Sequence, residues 1–102
     1  MRRKVQTKKT RTIQPGRYVW LSCEVKPGPF SDERIVRVSS VGDVWVGFAL
    51  VSALKNPVVS GSTSIKALVV GIEKDQFEAQ PMGSPLTQTL LRGDVAKAEL
   101  VA

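Results

Sequence analysis

The chain has 102 residues, 42% of them hydrophobic and 24% charged, with a formal net charge of +6; this is the size and balance of one small globular domain. It holds no histidine and one cysteine, which excludes a Ser-His-Asp triad, an imidazole base, a His-ligated metal, an intrachain disulfide and a cysteine-based zinc site. The charge is unevenly placed: residues 1–17 carry seven basic and no acidic side chains, whereas 18–102 carry eight basic and nine acidic ones.

The leader holds Arg2, Arg3, Lys4, Lys8, Lys9, Arg11 and Arg17, with Val5 and Ile13 as its sizeable apolar residues. Such a stretch buries too little surface to offset its ordering entropy, so the composition predicts a disordered basic arm over 1–14 that stops at Pro15-Gly16. The expected organisation is a flexible arm over 1–16 and a folded body over 17–102. Gln6-Thr7-Lys8-Lys9-Thr10 offers no apolar core for a secretory signal, and the spacing makes no amphipathic transit helix. A polybasic arm can bind phosphate backbones by releasing counterions; a merely solubilising terminus has the same composition.

In the body, Arg17 to Val25 alternates, with Val19, Leu21, Cys23 and Val25 on one face and Tyr18, Trp20, Ser22 and Glu24 on the other. Lys26-Pro27-Gly28-Pro29 breaks this first strand. Arg34–Ser39 reads as a second strand with Val36 and Val38 inward and Arg37 and Ser39 outward. After the turn signal Val41-Gly42-Asp43, a third strand runs from Val44 to about Leu50. Its two faces are both apolar, which predicts a central position covered on both sides. Val51–Lys55 fits a single helical turn, and Ser60–Ser64 a polar hinge. Ile65–Ile72 is a fourth strand whose Lys66 is expected at an edge. Glu73–Gln76 is the next turn, Phe77–Gln80 a fifth strand, and Leu86–Leu91 a sixth. In the tail, Asp94 is expected to cap a short helix, with a final edge strand as the alternative.

Strands at this spacing with turn chemistry between them predict an all-β fold: a small antiparallel β-barrel or roll, SH3-like or OB-like, behind the basic arm. The apolar run Val44–Leu54 is broken by Gly47 and Ser52 and is too short for a membrane helix, so a soluble protein with no membrane partner is expected. The unpaired Cys23 fits a reducing, cytoplasmic setting. It sits on the inward face, where a thiol is an inert small hydrophobe.

No catalytic constellation is visible. The glycines show no phosphate-loop spacing, the serines have no base beside them, and Asp32, Glu33 and Asp43 lack calcium-loop spacing. No catalytic residue, metal, cofactor or small-molecule substrate is therefore assigned. Arg92-Gly93-Asp94 spells an adhesion tripeptide, but its Gly-Asp pair reads as turn and cap.

The candidate binding residues are Arg2, Arg3, Lys4, Lys8, Lys9, Arg11 and Arg17 with Tyr18, Trp20 and Arg37, for RNA or DNA. Tyr18 and Trp20, two apart, project from one strand face and could stack bases, with Trp45 as a third candidate. Trp20 and Trp45 could instead cover the second side of a curled sheet as ordinary core, where large aromatics more often lie. The competing function is a protein-interaction or structural subunit, or a homo-oligomer, docking through a sheet edge, with the arm incidental.

Overall fold

The computed structural model describes residues 12–40, 43–86 and 90–101. Alternation makes Tyr18–Pro27 the first strand, β1. Val19, Cys23 and Val25 are buried and Leu21 is half-buried, while Tyr18, Ser22 and Glu24 are exposed. The strand runs on to Pro27, which pairs with Arg34 rather than ending the ladder early. β2 (Glu33–Ser40), β3 (Asp43–Leu50), β4 (Gly61–Glu73), β5 (Gln76–Pro81), β6 (Ser84–Pro85), β7 (Leu91–Asp94) and β8 (Glu99–Leu100) complete the set. The pairings are antiparallel, in the order β6-β3-β2-β1-β4-β5-β7, with β8 also on β1. β7, at one end of this order, packs against β2 and β3 near the other. The sheet therefore curls into a half-barrel, and the all-β expectation holds.

The turns follow from local chemistry. Gln14-Pro15-Gly16-Arg17 is a tight turn in which Arg17 N–H donates to Gln14 C=O at 3.0 Å. Gly16 has φ +93°, and proline followed by a left-handed glycine is the pattern of a type II turn. The turn brings Ile13 back onto the sheet, where it is buried with Val19, Ala67, Val69, Phe77 and Ala79. The body thus reaches back at least to Ile13, beyond the boundary expected at Arg17. Pro15-Gly16 folds the chain instead of ending it. In the tail, Asp94 caps a 3-10 turn over Val95–Lys97, its carboxylate accepting Ala96 N–H at 2.9 Å. β8 then follows, so both tail expectations are present in succession.

Two apolar clusters fill the concave side. The first joins Cys23, Val25, Val36, Val38, Trp45, Ala49, Leu54, Ile65 and Leu91. The second, around Phe77 and Val19, is closed by the half-buried Val95, Ala98 and Leu100. Each fully buried aliphatic or aromatic side chain contributes about 1.5–3 kcal/mol relative to exposure. Phe77 is accommodated because Gly93 faces it across β5 and β7; a Cβ there would stand 2.4 Å from the ring. Gly93 is therefore a strand residue under an aromatic ring, not the turn residue expected from the tripeptide.

Three further expectations are corrected. β3 is not covered on both sides: it lies beside the two-residue β6 at the end of the order. Its outer row leaves Val44 and Leu50 40% and 53% exposed, whereas Trp45, Gly47 and Ala49 are buried. Two apolar faces do not by themselves distinguish a central strand from one with an open side. The sixth strand does not span Leu86–Leu91. Leu86 N–H donates to Val46 C=O at β3's edge, and the ladder to β5 starts at Leu91; residues 87–89 lie outside the described residues. Finally, β4 is flanked by β1 and β5, so Lys66 is central rather than marginal.

Arg34 is buried at 7% exposure. Its Nε donates to Val58 C=O at 2.8 Å, and Nη1 donates to Ser31 and Glu33 C=O, each at 2.9 Å. One guanidinium thus ties the loop before β2 to the loop before β4. The planar fork suits several carbonyls at once, as an ammonium does not.

Candidate functional site

Tyr18 and Trp20 share the convex face of β1. Tyr18 is 37% exposed and Trp20 half-buried. Across β4 they face Leu68 and Lys66 respectively. The Lys66 ammonium lies 5.7 Å from the Tyr18 ring centroid, a cation–π contact contributing about 0.5–1 kcal/mol at such a site. On its other side Trp20 faces Glu99 of β8, whose carboxylate is held by Lys55 at 2.6 Å. Arg17, exposed, sits beside Tyr18 with its backbone fixed, its C=O accepting Val69 N–H at 2.8 Å.

Tyr18, Trp20 and Lys66 therefore form one outward cluster, which the exposed Arg17 adjoins along the chain only, since it lies opposite the buried Val69. Two of the sequence candidates do not join it. Arg37 is paired in register with Glu24, four residues beyond Trp20 and so about 13 Å further along the strand. Trp45 is wholly buried, with a Cβ at Gly47 denied by its ring at 2.6 Å, and is core. Arg2, Arg3, Lys4, Lys8, Lys9 and Arg11 lie outside the described residues. Lys66 was missed as a site residue; its signal was a lone cation within the apolar run Ile65–Ile72.

Cys23 lies buried on the opposite face of β1. Burial, with Glu24 beside it, pushes its thiol up from 9.0 to about 11, against a lowering backbone hydrogen bond at Thr63. An acid whose folded pKa is raised binds more protons folded than unfolded between those two values. The stability it confers is complete below the unfolded pKa and declines as pH rises toward 11. The difference in urea midpoint between the native chain and Cys23→Ala is therefore expected to stay flat to about pH 8.5 and then move against the native chain. A difference constant through that alkaline range would contradict the burial of the thiol.

Among the described residues no group of three or more His, Cys, Asp or Glu is placed to hold a metal ion, and no helix is long and apolar enough to cross a membrane. Comparison with protein-family models, curated proteins and solved structures finds no match for this chain.

Proposed function

We propose that the chain is a non-enzymatic binding module that attaches to single-stranded RNA or DNA. In this reading the cationic leader supplies sequence-independent attraction to phosphates, and Tyr18 and Trp20 supply a stacking surface. The observation that carries it is the convex cluster of two aromatics with Lys66, directly after a leader whose seven basic residues end at Arg17. Stacking is worth about 1–3 kcal/mol per base and tolerates any sequence. The curled sheet is read here as a small SH3-like or OB-like barrel working in a cytoplasmic, reducing setting.

Fluorescence anisotropy with a labelled oligo(dT) of about ten nucleotides, across a salt series, tests this. Engagement of all seven leader cations is expected to contribute about −5 to the log–log salt slope on a single strand. Deleting residues 2–11 is expected to make the slope shallower by about 4, because six of the seven leader cations are lost. No binding near 50 mM salt, or an unchanged slope after deletion, overturns the reading.

One observation favours a second reading, a protein-docking subunit: the open apolar row Val44, Val46, Phe48 and Leu50 on β3. A stable oligomer by light scattering, indifferent to oligonucleotide, would support that reading instead.

A further inference from the structure

β1 changes partners along one edge. Trp20 pairs with Glu99 of β8, and Glu24 to Pro27 pair with β2. Between them, residues 21–23 have β4 on one side and, among the described residues, no strand on the other. The direction of the backbone groups there is settled by alternation. Tyr18 C=O accepts from Val101 N–H at 3.0 Å, so the even-numbered residues of β1 present N–H and C=O to the β8–β2 side. Ser22 is the even residue in the gap. On the facing strand Arg37 is turned toward β1, and two residues on, beyond the last pair, Ser39 presents its backbone the same way. Among the described residues neither Ser22 nor Ser39 has a ladder partner on that edge.

The parted strands open a cleft of about 480 Å³. Its rim holds Trp20, its walls carry Ser22, Ser39 and Ser40, and Arg92 and Lys97 flank it. Ser40 Oγ accepts Arg92 N–H at 3.2 Å, which fixes the cationic wall against β2. The Asp94 carboxylate in the same wall is already committed to Ala96 N–H. Arg92 also faces Asp43, at 3.9 Å and with both side chains substantially exposed, a pair that yields little energy. Backbone donors, hydroxyls and two cations beside an aromatic ring suit a phosphodiester with an adjoining base. A strand of peptide would find one backbone residue on each side, too few for a ladder.

We propose that the single strand runs from the convex aromatics over Trp20 into this cleft, with a phosphodiester set against Ser22, Ser39, Arg92 and Lys97. This rests on the nucleic-acid reading and adds its path. The test is a titration of the 15N-labelled full chain with the same oligo(dT), alongside anisotropy of Arg92→Ala/Lys97→Ala. The amides of Ser22 and Ser39 are expected to shift on binding. The double variant, folded by circular dichroism, is expected to bind about 10–30-fold more weakly near 0.1 M salt, with the slope shallower by about 1.4. Full-strength binding by the double variant, with shifts confined to the leader and the Tyr18 region, overturns the cleft while leaving the nucleic-acid reading standing. Absence of any oligonucleotide binding by the native chain overturns both. Shifts at Ser22 and Ser39 with an uncharged extended peptide, and none with oligo(dT), overturn the proposal in favour of a protein ligand.

Discussion

Trp45→Ala is expected to cost about 3–5 kcal/mol, the range for removing a large buried aromatic. A domain of this length has roughly 5–15 kcal/mol in total, so the variant loses a large share of its stability. The reason is local. The indole is wholly buried in the first cluster and lies along its own strand over Gly47 and close to Gly83, where a Cβ would stand 2.6 and 3.2 Å away. Those glycines leave a slot that only a flat ring fills, and alanine empties it. The indole Nε1 is buried with no hydrogen-bond partner among the described residues, and an unmade bond of this kind costs about 1–3 kcal/mol. Trp45→Phe removes that donor while keeping a ring, so its net cost is expected to be below about 1.5 kcal/mol. Urea unfolding followed by far-UV circular dichroism distinguishes the two. Equal costs for Ala and Phe would show that filled volume does not dominate at this position and that Nε1 makes a favourable bond which both variants lose.

Arg34 carries the second large effect. Removing it leaves the carbonyls of Val58, Ser31 and Glu33 without their shared donor. Bonds to a charged group are worth about 1.5–3 kcal/mol, discounted here because parts of both loops are wet. Arg34→Met keeps much of the volume and is expected to cost about 2–3 kcal/mol. Arg34→Lys is expected to do no better, since it keeps a buried charge but cannot span the carbonyls. Hydrogen exchange sharpens the comparison: both variants should speed exchange at Glu33 N–H, which donates to Phe30 C=O, and at Gly28 N–H, which donates to Glu33 C=O. If Lys restores the native urea midpoint, the fork geometry is not what matters.

Much of the fold is legible where a local rule decides it. Period-two alternation separates Val19, Cys23 and Val25 from Tyr18 and Glu24 correctly, and Asp94 reads as a cap because its carboxylate can reach an amide two residues on. The misses share a cause: they depend on residues far away in sequence. Burial of Arg34 requires Val58, twenty-four residues later. Trp45 and the outer row of β3 are both apolar, and which side faces the core is settled by the neighbouring strands. Ile13 looks isolated in a cationic stretch until the turn at Pro15-Gly16 places it on Val19 and Phe77. For the candidate site, the Tyr18/Trp20 spacing is readable along one strand, whereas Lys66 joins it only through the β1–β4 register. The cleft left no trace in the sequence, because a missing ladder partner is a property of three strands together.

β1 bonds to β2, to β4 and to β8, and Tyr18 waits for Val101 to supply a donor. During synthesis this strand emerges early, yet its last partner leaves the ribosome only after residue 101. Its ladder therefore completes after nearly the whole stretch has been made, and such sequence-distant closure is slow. Until then an apolar strand edge stands open, so nascent chains are most prone to aggregate in that interval.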